Sequence, residues 1–363
     1  MAEDPVPART RRRRSTENRP VSMADVAQRA GVSAQTVSRV ANGFGGVLDE
    51  TRAAVIAAME ELGYRPNSAA RALKLGSFRT IGVISSTLST IGDVRTIEAI
   101  AHSAALEGYT TTLIPLRAQG EGGVKRVYSR LQELAVDALI LNIEKQLLDR
   151  AEVLVPPGVP IVLMDTSPDG MHVVVDTDQF DGARQATGHL LSLGHETVRH
   201  LAGPEESHPA QRRLEGWQRT LEDAGRPVPE PLRGDWTAQS GYELGRILAD
   251  DPSCTAVFCA NDQMALGLYR ALREAGRRVP QDVSVVGFDD TADAIAYDPP
   301  LTSVHQDFAD AGRRAVSAAL AQLRAGEEST PRIDVVPTGL IVRASTAALS
   351  GVSPTAIRPA REE

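Results

Sequence analysis

Cysteine is almost missing from this 363-residue chain: only Cys254 and Cys259 occur, with four residues between them. A lone pair at that spacing is not a zinc site, and two free thiols buried near a strand is the expected reading. No run approaches the roughly 18 apolar residues that a bilayer-spanning helix needs, so no membrane partner is expected. Four arginines stand at 11–14, but no apolar segment follows them. An export signal is therefore not expected, and the chain is read as cytoplasmic. Also absent are G-x-S-x-G, a phosphate-binding P-loop, G-x-G-x-x-G after a strand, and H-E-x-x-H. Those absences argue against an enzyme and against any cofactor or metal. His189, His195 and His200 read as structural or solvated residues across a helix end and a strand start. The last residues, TAALSGVSPTAIRPAREE, carry no sustained leucine heptads, which a tetramerising coiled coil would need. A homodimer is expected instead.

A positive net charge is missing as well: 39 Lys and Arg face 47 Asp and Glu, for −8 overall. Its distribution is uneven. Residues 1–80 hold 13 basic and 8 acidic side chains, net +5, leaving 26 against 39, net −13, for the remainder. A basic head on an acidic body suits a protein that meets phosphate at one end only.

The head carries SMADVAQRAGVSAQTVSRVAN at residues 22–42. Ser22 and Asp25 have capping-box spacing, and Val26, Ala27 and Ala30 share one helical face. Gly31 supplies the left-handed residue of a tight turn. Ser33 then caps a second helix whose Val37 and Val40 point inward. Two short helices joined by Gly-Val-Ser predict a helix-turn-helix, the second helix entering the major groove. Ala34, Gln35, Thr36, Ser38 and Arg39 avoid its apolar side. Gln pairs bidentately with adenine and Arg with guanine, so Gln35 and Arg39 are the expected base readers. A third helix, capped by Asp49 and ending at Gly63, packs through Ala54, Val55, Ala58, Met59 and Leu62. A short helix over 67–74 follows, capped by Asn67, with Leu73 its one large apolar residue. Leu73 reads either as linker packing or as a wedge into the minor groove, one from each half of a dimer.

The body alternates short apolar runs with helical segments. TIGVI (80–84), TTLI (111–114), DALILN (137–142) and PIVLM (160–164) form one series; TVRHLAG, AVFCAND and VSVVGFDD form another. Two such series predict an α/β core of two lobes built on parallel sheets. Ligands in such folds bind beyond the carboxyl ends of the strands. There stand Asn142, Asp165, Asn261, Asp262, Gln263 and Asp289, with Arg213, Trp236 and Phe308 in loops or at crossovers. Carboxylates, amides and a guanidinium beside flat aromatic faces suit a pyranose, whose hydroxyls need donors and acceptors. Asp290 reads as a cap or core polar group. The expected organisation is a basic tail (1–20), a DNA-binding head (21–66), a hinge helix and linker (67–79), the two-lobed core (80–346) and a C-terminal tail.

The strings DVAQRAGVSAQTVSRVANG, ELGYRPNSAARALK and IGVI, in that order, resemble the lactose-repressor family of bacterial transcription regulators. LAGPEES, GDWTAQSGY, ANDQMALG, DVSVVGFDD and PPLTSVHQDF extend the likeness from about residue 21 to residue 346. The resemblance implies a repressor with a periplasmic-binding-protein-like core that binds two-fold operator DNA and is released by a small sugar, a galactoside being favoured. It places Leu73 in the minor groove. Asp165, Arg213, Asn261 and Asp289 fall at hydroxyl-binding positions, Trp236 at a stacking aromatic, and Phe308 at a second aromatic beside the hinge. Thr90, Gly92 and Asp93, expected in a loop, fall where the sugar's substituent is received, and there this chain is more polar. Asn142 and Gln263 are further effector-binding candidates.

Overall fold

The computed structural model describes residues 21–42, 44–65, 76–85, 87–115, 135–143, 158–167, 170–325 and 330–349. Asn67, Leu73, the basic tail and residues 350–363 lie outside them; residues 347–349, expected to begin the C-terminal tail, are tied to the core, Ala347 N donating to Ser284 Oγ at 3.1 Å and Leu349 N to the Leu193 carbonyl at 2.9 Å. The chain divides into two compact units, residues 1–78 and 79–363.

In the first unit, helix α1 spans Met23–Ala30, α2 Ala34–Ala41 and α3 Asp49–Leu62. Both partners of the capping box are made: Ser22 N donates to Asp25 Oδ2 at 2.8 Å, and Asp25 N to Ser22 Oγ at 3.4 Å. Gly31 and Gly63 end their helices with φ of 66° and 64°, a region where a side chain would be strained. Val26, Val37 and Val55 are fully buried and form a core with Ala27, Val40 and Ala58. Two details differ from the sequence reading. Leu48, not Asp49, occupies the N-cap of α3 and makes no side-chain cap, and Ala54 is exposed, the buried face of α3 being carried by Val55 and Ala58.

The second unit holds two six-stranded sheets with the orders β2-β1-β3-β4-β5-β11 and β7-β6-β8-β9-β10-β12. The first lobe comprises β1 (Thr80–Ser85), α4 (Ile91–Leu106), β2 (Thr110–Pro115), β3 (Ala138–Asn142), β4 (Ile161–Met164) and β5 (Val173–Thr177). The second comprises α5 (Gln179–Ser192), β6 (Arg199–Ala202), α6 (His208–Asp223), β7 (Leu232–Arg233) and α7 (Ala238–Asp250), then β8 (Ala256–Cys259), α8 (Asp262–Glu274), β9 (Ser284–Asp289) and β10 (Thr302–Gln306). The chain then returns: α9 (Phe308–Ala325) and β11 (Arg332–Val336) complete the first lobe, and β12 (Thr338–Ile341) the second. The lobes are thus joined at single residues, 178, 307 and 337. All pairings are parallel except that of β12 with β10. Strands β1 and β3 are continuous buried apolar runs. Helices α4 and α9 lie side by side on one face of this sheet, Ile100, Ala315 and Ala319 packing on Ile81, Val83 and Ile140.

Candidate functional site

In both lobes the strand order steps outward in opposite directions on either side of one point, between β1 and β3 and between β6 and β8. Loops leaving those strands part there and open a crevice. The two crevices face one another across a cleft of about 170 Å³, open to solvent.

From the first lobe come Thr87, Thr90, Asp93, Thr96, Asn142 and Asp165; from the second, Ser207, His208, Arg213, Trp236, Asn261 and Asp289. Gln179, Gln306 and Phe308 enter from beside the crossings. Nine of the ten residues expected at the effector therefore share one cavity. Gln263 is not among the lining residues; its Oε1 accepts from Asn261 Nδ2 at 3.2 Å. The placement of Arg213 differs from the loop or crossover expected: it lies mid-way along α6, on its inward face. Phe308, the first residue of α9, directly follows the crossing at 307. Gly92 and Asp93 likewise belong to the first turn of α4, where Thr90 Oγ1 caps Asp93 N at 3.1 Å.

Arg213 is the centre of the second lobe's wall. It is 4% exposed, a cation withdrawn from bulk water, so its donors must be satisfied within the fold. Nε donates to Gln179 Oε1 at 2.8 Å, Nη1 to the Ala260 carbonyl, and Nη2 stands 3.5 Å from Asp289 Oδ1. Gln306 Nε2 donates to the same Asp289 oxygen at 2.6 Å, and Gln179 Nε2 to Gln306 Oε1 at 3.1 Å. Arg213, Gln179, Gln306 and Asp289 thereby close a ring, two members of which adjoin the crossings at 178 and 307. Sequence reasoning misses both glutamines: a buried glutamine at the start of a helix (Gln179) or the end of a strand (Gln306) carries no periodic signal. Burial pushes the Asp289 carboxyl up to about 6, against the opposing pull of Arg213 and Gln306. Burial also raises Asp165, countered by its bond from Thr177 N (3.2 Å) and by Arg213.

The Trp236 indole lies 5.4 Å from the Arg213 guanidinium and lies over Gly203, the last residue of LAG in the β6 loop. A Cβ at 203 would come within 2.4 Å of that ring. Asn261 holds the tryptophan's backbone, Nδ2 donating to Trp236 O at 3.0 Å while Oδ1 caps α8 at Met264 N. Asp165, Trp236 and Asp289 all have positive φ (45°, 72° and 102°). Such backbone strain concentrates where a side chain must be aimed. Across the cleft, Asn142 Nδ2 donates to Asp93 Oδ1 at 2.9 Å, and Thr90 Oγ1 to Asp93 Oδ2. Asp290 points elsewhere, bonded to His305 at 3.1 Å and beside Arg343.

The histidines are held in structure. His195 bridges Thr255 and Ser284, His189 meets Thr346, and His200 stacks between Trp217 and Phe258 with its Nδ1 on the Phe258 carbonyl. Burial lowers His200 to about 3, so it is neutral. Both cysteines are free and buried. No helix among the described residues is long and apolar enough to cross a membrane.

On α2, Ala34, Gln35 and Arg39 are exposed, with Thr36 and Ser38 half-buried. Thr36 N donates to Ser33 Oγ at 3.1 Å, and Ser38 is engaged by Asn42. Arg39 Nη2 donates to the Gly45 carbonyl at 2.8 Å, which steadies its stem against the following loop.

Residues 22–67 match the family of bacterial regulatory proteins of the lacI type, and residues 187–346 match the periplasmic binding protein-like domain. The lactose operon repressor of Escherichia coli strain K12 is 37% identical over 333 residues, 91% of this chain and 92% of its own. The HTH-type transcriptional repressor PurR of Haemophilus influenzae strain PittEE is 34% identical over 331 residues, 89% of this chain and 98% of its own. Among solved structures, the lac repressor dimer bound to operator and the anti-inducer ONPF superposes with a TM-score of 0.80 at 35% identity. It covers 91% of this chain and 100% of its own.

Proposed function

Because the chain belongs to the lacI family of bacterial regulatory proteins and is a DNA-binding repressor rather than an enzyme, we propose that its effector is a sugar, a galactoside being the favoured case. The observation that carries this is the ring of Arg213, Gln179, Gln306 and Asp289 set beside the Trp236 indole. A pyranose offers a hydroxyl at nearly every carbon and one flat C–H face. Carboxylates and amides serve the former, and an indole serves the latter.

The ring also supplies a route to the DNA. A ligand hydroxyl that engages Asp289 or Arg213 pulls on Gln179 and Gln306, each one residue from a crossing between lobes. Lobe closure about residues 178, 307 and 337 then alters the arrangement in which a dimer presents its two heads. Induction requires only that the sugar bind the DNA-incompetent arrangement better, and that difference in affinity sets the shift. Gln35 and Arg39 read base edges, Ala34, Thr36 and Ser38 line the same face, and Asn67 and Leu73 belong to a segment that engages the operator centre. The dimer matches a two-fold operator.

A purine effector is the second reading, favoured by the identity to PurR and by two aromatics, Trp236 and Phe308, in one cleft. Thermal melting of the full chain against simple sugars, disaccharides and purine bases separates the two. Ligand at a hundred times its Kd adds about 2.7 kcal/mol to stability. A shift with a sugar, lost in Asp289→Ala, supports the proposal; a shift with purines alone replaces it.

A further inference from the structure

We propose, resting on the reading of Arg39 as a base contact, that Gly45, Gly46 and Arg52 are positioning residues for it. Sequence choice is then set partly by the loop after α2, acting through Arg39 rather than on a base of its own. Three observations carry this: how Arg39 is held, what stays free on its guanidinium, and why a glycine stands beside it.

The loop is fastened to Arg39 at both ends of that residue. Phe44 N donates to the Arg39 carbonyl at 2.9 Å, and Arg39 Nη2 donates to the Gly45 carbonyl at 2.8 Å. Arg52, near the start of α3, donates from Nη2 to the Phe44 carbonyl at 3.1 Å. Backbone, guanidinium and loop therefore close into one unit, buttressed from α3. Arg39 is exposed and stands in the last turn of α2. An arginine so placed would otherwise spread over many rotamers, and fixing them on the DNA costs affinity. Here the side chain is ordered when the head folds.

The hold leaves the reading chemistry intact. Nη2 carries two hydrogens, one on each edge of the guanidinium fork. The Gly45 bond engages one of them. A complete edge with two parallel donors remains, as guanine O6 and N7 require. The acceptor is a neutral carbonyl, and among the described residues Arg39 has no carboxylate partner, so its charge stays available to the DNA. Arg29 is the contrast: its Nε donates to Glu61 Oε1 at 3.0 Å and its Nη2 pairs with Oε2, which occupies its fork within the head.

Gly46 keeps room for the guanidinium. Its φ is 80°, and a Cβ there would stand 2.9 Å from Arg39 Nη2. The collision is with the tip of an exposed side chain, so a methyl group displaces the reader and leaves the core of the head alone. Backbone strain accompanies it, because φ is positive. Gly63 separates the two effects: at φ 64° its Cβ would meet nothing within 4 Å.

Selection of duplexes by the full chain from a randomised library yields its preferred operator. Gel-shift titrations on single-base variants of that duplex then measure discrimination at each position. Arg39→Ala is expected to lower discrimination at one base pair of each half-site about tenfold. Gly46→Ala and Arg52→Gln are expected to lower it at that same base pair about threefold or more, with the salt dependence of binding unchanged. Gly63→Ala, strained but clear of Arg39, is expected to discriminate as the parent does. In an Arg39→Ala background, Gly46→Ala is expected to change nothing further, since its effect passes through the arginine. Melting curves verify that each variant folds.

The overturning results are distinct. Equal weakening of all duplexes by Arg39→Ala removes the base-reading premise itself. Relaxed choice in Arg39→Ala, with parent-like discrimination in folded Gly46→Ala and Arg52→Gln, keeps the premise and overturns the positioning role. Equal relaxation in Gly63→Ala traces the effect to backbone strain and overturns it as well. A Gly46→Ala effect that persists without Arg39 makes the loop a direct DNA contact. An Arg52→Gln loss equal on all DNA, with a flatter salt dependence, makes Arg52 a phosphate contact instead.

Discussion

Replacing Gly203 with alanine drives a methyl group into the indole of Trp236. The new Cβ would stand 2.4 Å from Cη2, 2.5 Å from Cζ2 and 2.8 Å from Cζ3, where ordinary contact begins at 3.4 Å. The ring must therefore retreat by about 1 Å. Its backbone cannot follow easily, because Asn261 holds Trp236 O and the residue already sits at φ 72°. The side chain instead turns into the cleft, the space a stacked sugar would occupy. Overpacking of this kind costs about 1–3 kcal/mol in a closed core; a half-buried ring beside a cavity can yield, so the melting temperature should fall only slightly. The loss appears in binding. Forfeiting a stacking contact worth about 0.5–1.5 kcal/mol, with part of the cavity filled, should weaken the effector about tenfold or more. Operator affinity without effector should remain. Trp236 is one of only two tryptophans, the other being fully buried Trp217, so fluorescence reports the ring's movement directly. In a double-mutant cycle with Trp236→Ala the two losses should fail to add, because removing the indole relieves the collision. Effector affinity within twofold of the parent, with a displaced fluorescence signal, would refute the assignment of Trp236 to the ligand.

Three further outcomes are expected. Arg213→Ala leaves Asp289 buried without its cation, a change that typically costs about 3–5 kcal/mol; melting should shift down and induction should vanish, while operator binding persists below the new midpoint. An unchanged midpoint would contradict the buried ring. Arg39→Ala should lower operator affinity by about 1–3 kcal/mol and relax sequence choice; equal weakening on all DNA in gel-shift titrations would make Arg39 a phosphate contact. Burial pushes Asp262 up to about 7 and Asp176 up to about 8, so between pH 6.5 and 8 the folded chain releases protons that the unfolded chain has already lost. With more protons bound to the native state, stability must fall as pH rises through that window. Asp262→Asn should flatten the decline seen in melting midpoints, and a parent curve that rises from pH 6.5 to 8 would dismiss the assignment.

How much of this was written in the sequence varies with the kind of signal each residue emits. The head was legible at the level of single bonds, because caps and turns are local: Ser22, Asp25, Gly31 and Ser33 act within four residues of themselves. The α3 cap was misplaced by one residue because Asp49 is a good capping type, yet here it lies inside the helix. In the core, continuous apolar strands were readable, whereas β10 was not, since its Thr302 and Ser303 are polar and fully buried. Neither residue betrays a strand by hydrophobicity. Arg213 is legible as a site residue, but its expected place is a loop or crossover; a cation on the inward face of a helix contradicts the pattern that locates helices. Gln179, Gln306 and Gly203 went unremarked because their roles exist only once distant strand ends meet.

The return of the chain to its first lobe bears on how the protein is made. The first lobe remains one covering helix and one edge strand short until residues 308–336 have been synthesised. The head needs none of them for its own small core of Val26, Val37 and Val55. A ribosome adding about 5–20 residues per second therefore presents a folded DNA reader many seconds before there is a finished sensor to restrain it. A message broken before codon 308 yields a product with a complete head and an open first sheet, in which reading of the operator is uncoupled from the signal meant to govern it.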